Sequence, residues 1–355
     1  MELDGTRRET RLRAKNYAII FLMGKINKQL DFLAIGDIVI DAFIRLKDAH
    51  VNCSLNKETC ELCMRFGDKI PYEFVEVIPA VGNSSNAAVS AARLGLNSGL
   101  IAHIGADQNG KDCLAVLKKE KVDAKYVTAH KNFKTNYHYV LWFEDDRTIL
   151  VKHEAYPYAM PNVEPPKWLY LSSLGAGSEK YHQEIADYLD KNKGVKFAFQ
   201  PGTFQMKMEA GIFMRLCARA DFFVLNTDEA RRILKNEEQN PKKLLKQVAA
   251  LGPKIVIITD GPKGAYMKNG DNFYFMPPYP DPKPPYNRTG AGDAYSATFV
   301  SAMALGKTPE EAITWSPINS MSVVQQIGAQ RGLLTRAELD NFLTKAPADY
   351  KLKVI

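Results

Sequence analysis

The chain has 355 residues, of which 46% are hydrophobic and 25% charged, a composition that excludes an intrinsically disordered protein. No apolar run approaches the roughly 20 residues that a membrane-spanning helix needs. The net charge of +7 is spread along the chain and suits an anionic small molecule at least as well as a nucleic acid. The charge alone decides little between these partners, and we expect neither a membrane protein nor a nucleic-acid-binding protein.

The first 30 residues differ from the rest. Several arginines precede a short apolar piece at residues 17–23, as in the first two regions of a signal peptide. Lys25 and Lys28 follow where a small-residue cleavage site would stand, which argues against secretion. We predict a basic extension over residues 1–30, a domain that starts near Asp31, and a cytoplasmic location.

Three of the five cysteines lie close together, at Cys53, Cys60 and Cys63, with His50 nearby. An odd number of cysteines argues against a disulfide framework and for a reducing compartment. Cysteine and histidine side chains can bind zinc, but the spacing of these four residues matches no common zinc module. We expect the three thiols to pack without a metal, with a metal site as the alternative. The apolar neighbours expected to bury them are Leu55, Leu62, Met64 and Phe66.

Apolar segments of strand length alternate with amphipathic segments along most of the chain. The predicted strands are residues 32–36, 100–105, 168–172, 196–200, 222–226 and 254–259. The predicted helices are residues 85–96, 111–120, 180–191, 207–219 and 241–251. Continuous apolar strands separated by helices indicate a parallel sheet covered on both faces, so we predict the α/β class.

Two regions, about residues 42–80 and 132–155, read as short β segments without helices of their own. We expect both to leave the main sheet together as a small β-strand lid. A lid over a reaction site would exclude water. The alternative is a surface hairpin without functional importance.

The segment Asn287–Asp293 reads N-R-T-G-A-G-D and leads into an apolar helical run. Backbone N–H groups at a helix start attract anions, and residues as small as Gly290, Ala291 and Gly292 leave room for an anion to approach. A carboxylate at Asp293 suits the general base that deprotonates an attacking alcohol. The alternative is that Asp293 only complements the helix dipole.

Seven segments, in this order, resemble the ribokinase-like (phosphofructokinase-B type) carbohydrate kinase family. They are Gly36–Asp41, Val81–Ala88, Gly105–Gly110, Asn226–Glu229, Thr259–Gly264, Asn287–Asp293, and Asn319 with residues 326–332. The resemblance implies a three-layer α/β/α sandwich with a mainly parallel central sheet and a β-strand lid. It implies one kinase domain over residues 31–345, followed by a tail at residues 346–355.

The resemblance also implies roles for individual residues. Asp293 would be the general base, and Gly290, Ala291 and Gly292 the anion hole, in transfer of the γ-phosphoryl group of ATP to a sugar hydroxyl. Glu229 would hold Mg²⁺ through water molecules. Whether the protein also binds a monovalent cation is left open. The residues implied for the sugar are Asp37, Asp41, Gly82, Asn83 and Asn86. The residues implied for the nucleotide are Asn226, Glu229, Thr259, Gly261, Gly264 and Asn319.

Alternatives stay open at this point. Arg288, Thr298 and Val81 depart from the family pattern and leave the substrate undecided between a sugar and an adenosine-type nucleoside. Asn83 stands where some phosphosugar kinases carry lysine, which favours a neutral substrate. Lids of this family often pair between subunits, so a homodimer through the lid is an expectation. A non-catalytic sugar-binding regulator and a dehydrogenase are weaker alternatives; no Gly-x-Gly-x-x-Gly follows Gly36.

Overall fold

A computed structural model describes residues 29–53, 60–144 and 146–355 of the chain. The basic extension predicted for residues 1–30 thus falls, except for its last two residues, outside the described part. None of the helices in that part is long and apolar enough to cross a membrane.

Sixteen strands and nine α-helices are found in these ranges. The strands are β1 (Phe32–Ile35), β2 (Val39–Leu46), β3 (His50–Cys53), β4 (Cys60–Cys63), β5 (Tyr72–Val81), β6 (Ser98–Gly105), β7 (Asp123–His130), β8 (Asn136–Phe143), β9 (Asp146–Leu150), β10 (Trp168–Leu171), β11 (Lys196–Phe199), β12 (Phe222–Asn226), β13 (Ile255–Thr259), β14 (Ala265–Asn269), β15 (Asn272–Met276) and β16 (Lys353–Val354). The helices are α1 (Asn83–Arg93), α2 (Gln108–Lys119), α3 (Glu179–Lys191), α4 (Ala210–Arg219), α5 (Thr227–Leu234), α6 (Pro241–Ala249), α7 (Ala291–Ala304), α8 (Pro309–Val323) and α9 (Arg336–Thr344).

Ten strands form the main sheet in the spatial order β16-β15-β14-β13-β12-β11-β10-β1-β6-β7. The strands from β13 to β7 in this order run parallel, whereas β14, β15 and β16 add an antiparallel edge. The α/β class with a mainly parallel sheet is therefore confirmed. All six predicted strands and all five predicted helices are present, with ends shifted by up to three residues. Strand β7 and the antiparallel edge were not predicted.

The core consists of two apolar layers, one on each face of the main sheet. Phe32 and Ala34 of β1 pack in one layer with α1, α7 and α8, whereas Leu33 and Ile35 pack in the other with α3, α4 and α6. Successive residues of a strand point to opposite faces, so a strand buried on both faces needs an apolar residue at every position. This requirement explains why the strand segments are continuous apolar runs.

The second sheet contains four strands in the order β5-β2-β8-β9. Its strands come from the two regions expected to form a lid, with β2 starting slightly earlier, at Val39. Its inner face carries Asp41, Phe43 and Val140, which are all buried. Its outer face carries exposed apolar side chains, among them Val77, Tyr139 and Leu150. We call these four strands the lid.

The small hairpin of β3 and β4 corrects the expectation for the cysteines. Cys53 lies directly opposite Cys60 in the register of the hairpin, and the two are joined by a disulfide. The expectation of three packed free thiols was wrong because both strands lie at the surface, and Phe66 is fully exposed. Cys63 remains a half-buried free thiol. Within residues 29–53, 60–144 and 146–355, no group of three or more His, Cys, Asp or Glu is arranged to hold a metal ion.

We predict that Phe299→Ala lowers the free energy of unfolding by about 3–5 kcal/mol. Phe299 of α7 is fully buried and stacks on Phe222 of β12, with 4.5 Å between the ring centroids, so its loss leaves a cavity between helix and sheet. Chemical denaturation measures the change. The matched control is Phe66→Ala at the exposed turn, which should leave stability unchanged; equal losses in both variants would contradict this account of the core.

Candidate active site

The turn before α7 is shaped by one glycine with an unusual backbone. Gly290 has a φ of +83°, and a Cβ built on it would lie 2.3 Å from Cβ of Ala329. A side chain at this position would therefore meet both backbone strain and a clash. By contrast, a Cβ on Gly292 would meet nothing within 4 Å. The first glycine lets the turn pack closely, and the second leaves the start of α7 open.

Asp293 lies in the first turn of α7 and is buried, with 9% of its surface exposed. Three side-chain amides donate to its carboxylate: Asn83 Nδ2 to Oδ1 at 3.0 Å, Gln200 Nε2 to Oδ1 at 3.1 Å, and Asn86 Nδ2 to Oδ2 at 2.8 Å. Burial raises the pKa of Asp293, while the three amide bonds act in the opposite direction because they stabilise the charged form.

The hydrogen-bonding capacity of this carboxylate is nearly filled. An ionised carboxylate offers about four acceptor positions, two on each oxygen. The amides of Asn83 and Gln200 take both positions on Oδ1, and that of Asn86 takes one on Oδ2. One position therefore remains on Oδ2, where a hydroxyl group of a ligand can donate its proton.

The amides are held in turn by groups to which the sequence analysis gave no role, although Gln330 lies within residues 326–332 of the last family-like segment. Gln330 Nε2 donates to Asn86 Oδ1 at 3.0 Å, which orients the Asn86 amide with its NH₂ towards Asp293. Gln200 Oε1 accepts from the hydroxyls of Ser296 and Tyr170. The position of Gln200 at the carboxyl end of β11 was a signal that could have identified it, because ligands gather at such strand ends.

Asp41 lies close enough to Asp293 for their charges to interact, and His138 and His153 lie between Asp41 and Asp37. Asp37 is buried and accepts from Tyr158 Oη at 2.7 Å, the Gly175 N–H at 2.7 Å and His153 Nδ1 at 2.9 Å. The backbone of Asp37 also packs against Gly82, where a Cβ would lie 2.6 Å from the Asp37 carbonyl oxygen. Gly82 therefore permits this close approach and contributes through its backbone.

Asp41, on the inner face of the lid, has a buried Oδ1 atom without a hydrogen-bond partner in the described structure. His138 Nδ1 lies 3.4 Å from it, close enough for an ion pair but too long for a good hydrogen bond. A buried acceptor without a donor is costly, and a ligand hydroxyl would satisfy it. His138 and His153 were missed by the sequence analysis, which gave no signal for either.

A cleft of about 430 Å³ opens beside the start of α7. Four of the residues predicted for the nucleotide line it, namely Asn226, Thr259, Gly261 and Gly264. Other lining residues include Pro277, Pro278 and Tyr279, which follow β15, and Ala291 and Gly292 of the predicted anion hole. Two cations, Arg288 and Arg147, also face the cleft; Arg147 comes from β9 of the lid and was not predicted.

Asn226 and Glu229 form a capping box at the start of α5. Asn226 Oδ1 accepts the Glu229 N–H at 2.8 Å, and Glu229 Oε2 accepts the Asn226 N–H at 2.8 Å. Burial raises the pKa of Glu229, and the charge of Asp293 raises it further. The Glu229 carboxylate and the Asn226 amide oxygen are hard oxygen donors of the type that Mg²⁺ prefers.

Asn319 does not line the cleft, contrary to the expectation of a nucleotide contact. It is fully buried between helices, where its Nδ2 donates to Thr298 Oγ1 at 2.8 Å and its Oδ1 accepts the Leu334 N–H at 2.9 Å. Its neighbour Ser320 faces the cleft instead. The side chain of Asn319 points to the opposite side of α8 because adjacent helical residues lie on different faces.

The lid packs against the main domain at two further places. Trp142 of β8 is buried and meets the ring of Tyr286 edge to face, with 5.0 Å between the centroids. Glu76 of β5 forms an ion pair with Arg331, in the loop that follows α8. These contacts place the inner face of the lid over the residues that surround Asp293.

Comparisons with known proteins agree with this arrangement. The family description "pfkB family carbohydrate kinase" matches residues 76–336. The ribokinase of Bacillus subtilis is 25% identical over 271 residues, which cover 74% of this chain and 87% of that protein. A solved structure of Arabidopsis thaliana ribokinase with ribose and ATP superimposes with a TM-score of 0.74 and 21% identity, covering 89% of this chain and 99% of that one.

A nucleoside kinase of Methanocaldococcus jannaschii also shares the fold, with a TM-score of 0.72 and 18% identity over 89% of this chain and 99% of that one. The three-layer ribokinase fold is therefore confirmed, with the lid as its second sheet. The family match extends over far more than half of the chain. From fold, site and family match together, the chain belongs to the pfkB family of carbohydrate kinases, which are phosphotransferases.

Proposed function

We propose that this protein transfers the γ-phosphoryl group of ATP to a hydroxyl of an uncharged sugar, with Asp293 as the general base. The observation that carries the proposal is the single unfilled acceptor position on Oδ2 of a buried carboxylate, at the start of an open helix N-terminus. A sugar hydroxyl bound there donates its proton to Asp293. Its oxygen then attacks the γ-phosphorus, the bond to the β-phosphate oxygen breaks, and ADP leaves.

The start of α7 supports the second half of this reaction. The N–H groups of Gly290, Ala291 and Gly292 lie at a helix N-terminus that faces the cleft, where they would stabilise negative charge on the transferred group. Arg288 and Arg147 line the same cleft and would add positive charge near the phosphates. Asn226 and Glu229 would hold Mg²⁺ at the phosphates, where the ion would neutralise part of their charge.

The acceptor side supports an uncharged substrate. In the described part of the chain, the partners of Asp37, Asp41 and Asp293 are amides, imidazoles, a phenol and a backbone N–H, with no lysine or arginine among them. A phosphosugar would bring two negative charges next to three carboxylates. Vicinal hydroxyls, by contrast, both donate and accept, as these carboxylates and amides require.

A panel of acceptors tests the proposal. ADP release is measured with ATP, Mg²⁺ and either D-ribose, D-fructose, fructose 6-phosphate or adenosine. We expect turnover with an uncharged sugar and none with fructose 6-phosphate. Preferred turnover of adenosine would redirect the assignment to a nucleoside kinase, and a wider panel without any acceptor-dependent ADP release would indicate a binding protein without catalysis.

We predict that Asp293→Asn lowers turnover by about 10²–10⁴-fold while nucleotide binding, measured by calorimetry, is retained. The amide keeps the shape of the side chain but cannot accept the proton. Because burial raises the pKa of Asp293, the parent should lose activity as the pH falls, at a pH above the ordinary range of an aspartate. Near-normal turnover in the variant would rule out Asp293 as the base.

A pair of glycine variants separates the structural role of the turn from its chemical role. Gly290→Ala should destabilise the protein by about 1–3 kcal/mol, because of its positive φ and the clash with Ala329. Gly292→Ala should leave stability unchanged or slightly higher, since its Cβ meets no atom and alanine favours a helix. The Gly292→Ala protein should nevertheless lose about 10²-fold or more in turnover, because the methyl group projects into the cleft. Full activity of this variant would disprove the anion hole.

We predict that Glu229→Gln raises the Mg²⁺ concentration needed for half-maximal turnover while the KM for the sugar changes little. Glutamine can still accept the Asn226 N–H, so the helix cap is kept and only the charge is removed. Turnover is titrated with Mg²⁺ for both proteins. Superimposable titration curves would show that Glu229 acts only as a helix cap.

The outer face of the lid supports a dimer. The register places Val77, Ala42, Tyr139 and Leu150 in one row across the four strands. Val77, Tyr139 and Leu150 are each about half exposed, at 52%, 49% and 51%. An exposed apolar sheet face of this kind is typical of a contact with a second copy related by a twofold axis.

We predict that Val77→Glu converts a dimer into a monomer, because it places a charge in the middle of this apolar row. Analytical ultracentrifugation measures the mass in solution. The matched control is Val354→Glu at the exposed edge strand β16, far along the chain from the lid, which should stay dimeric. A monomeric parent protein would contradict the proposed contact.

A further inference from the structure

Each amide around Asp293 supports its charge only while the amide nitrogen, and not the oxygen, faces the carboxylate. A side-chain amide carries one oxygen and one NH₂ group, so a half-turn about its last bond exchanges acceptor and donor. The groups that bond the amide oxygen decide between these two orientations. For Asn86 and Gln200 the structure shows such groups. We call the three residues that donate to these oxygens the outer donors: Gln330, Tyr170 and Ser296.

Gln330 can act only as a donor towards Asn86. One proton of its NH₂ group is donated to the Ala80 carbonyl oxygen at 2.7 Å, and the other to Asn86 Oδ1 at 3.0 Å. Gln330 is buried, and a flipped amide would place its oxygen against the Ala80 oxygen without a donor between them. The oxygen of Asn86 therefore faces Gln330, and its NH₂ group faces Asp293.

The loop that carries Gln330 is fixed by α1, the helix that carries Asn86. Arg93 Nη1 donates to the carbonyl oxygens of Gln330 at 2.8 Å and of Leu333 at 2.7 Å. Its Nε and Nη2 atoms bond the two carboxylate oxygens of Glu120 at 2.8 and 2.9 Å, a bidentate pair that fixes the guanidinium plane. One helix therefore carries both an amide that bonds the base and the side chain that holds its outer donor.

Gln200 is held by two hydroxyl groups instead of an amide. Tyr170 Oη donates to Gln200 Oε1, and Ser296 Oγ lies 3.1 Å from the same oxygen. Tyr170 is fully buried, and burial together with the charge of Asp293 raises the pKa of its hydroxyl. The phenol therefore keeps its proton and stays a donor. With its oxygen bonded in this way, Gln200 directs Nε2 towards Asp293 Oδ1.

We propose that the outer donors are positioning residues: they fix the orientation of Asn86 and Gln200 so that Asp293 is left with one open acceptor position, on Oδ2, for the hydroxyl that is phosphorylated. A hydroxyl that donates there must approach from one direction, and transfer to a correctly oriented group is fast. The kinetic part of this inference rests on the proposed function, whereas the orientation of the amides does not.

The inference has a consequence for the titration of Asp293. Each amide bond stabilises the charged carboxylate, so a variant that loses one has a higher pKa at Asp293. Since Asp293 accepts a proton only when it is ionised, turnover should then be lost at a higher pH than in the parent. Asp41, Glu229 and the phenol of Tyr170 also interact with the charge of Asp293. Gln330→Met leaves all three in place.

The first test compares Gln330→Met and Tyr170→Phe, which remove an outer donor and keep most of its volume. The matched controls lie on α3, on the other face of the main sheet: Gln183→Met and Tyr188→Phe. Gln183 loses a hydrogen bond to Asp187, and the Tyr188 hydroxyl has no partner in the described part of the chain.

Turnover is measured against pH with ATP, Mg²⁺ and the best sugar of the panel. We expect both outer-donor variants to lose about tenfold or more in turnover, as for loss of a hydrogen bond to a charged group, with the KM for ATP little changed. The acid side of the profile should move up by about one pH unit. Both controls should keep the parent profile.

The second test follows the carboxylate without turnover. NMR of protein with isotope-labelled aspartate carboxyl groups gives the titration midpoint of Asp293, whose signal is identified by its loss in Asp293→Asn. The midpoint should rise in Gln330→Met and Tyr170→Phe and stay unchanged in both controls. Ser296→Ala is the mildest variant, because Tyr170 still donates to Gln200, and it should raise the midpoint least.

The outcomes separate positioning from packing and from the proposed function. An unchanged midpoint in the variants that fold overturns the inference, even where their stability falls, because that is the result of a purely structural role. A raised midpoint in an active enzyme whose turnover profile does not move also overturns it. If the midpoints rise but the parent shows no acceptor-dependent ADP release, the orientation of the amides stands and the proposed function fails.

Discussion

The arrangement of this protein depends on one buried carboxylate, that of Asp293, and on the hydrogen bonds that it accepts. Removing Asp293 from water is costly, and its charge is stabilised by three amides that come from α1 and from the end of β11. These amides can reach it only if α1, α7 and the main sheet are held in register. The same packing lets Gln330 donate a hydrogen bond to Asn86 and Ser296 donate one to Gln200. Folding and the assembly of the hydrogen-bonded shell around Asp293 are therefore the same event.

The lid completes the site from the opposite side. Its inner face contributes Asp41 and His138 to the acceptor region and Arg147 to the nucleotide cleft. Under the proposed function, groups for both substrates are thus carried on one small sheet. Closure around an acceptor would bring positive charge to the phosphates in the same step, which favours transfer to the acceptor over transfer to water.

The main sheet could be predicted because strands buried on both faces leave continuous apolar runs, as in Phe222–Asn226. Strands β14 and β15 lacked this signal, since they lie towards the edge and mix polar with aromatic residues. The start of α7 could be predicted as well, because its glycines and Asp293 are adjacent in the chain.

What could not be predicted depends on contacts between distant segments. Gln330 and Asn86 meet across 244 positions, and no local pattern records such a pair. His138 and His153, whose Nε2 atoms lie 3.2 Å apart, are on separate segments as well. Asn319 was assigned to the nucleotide because a motif gives the position of a residue in the chain but not the face of the helix on which it lies. The disulfide of Cys53 with Cys60 depends on the register of a hairpin, which an odd count of cysteines does not reveal.

The position of β1 in the middle of the main sheet has a consequence for the growing chain on the ribosome. β1 pairs with β6 on one side and with β10 on the other, so the half of the sheet that carries Asp37 and the lid can assemble once β10 has emerged. Asp293 is synthesised much later, and until then the amides of Asn83 and Asn86 have no carboxylate to hold. Under the proposed function, an incomplete chain could therefore shape the sugar side of the cleft, but it would lack the base with which to consume ATP.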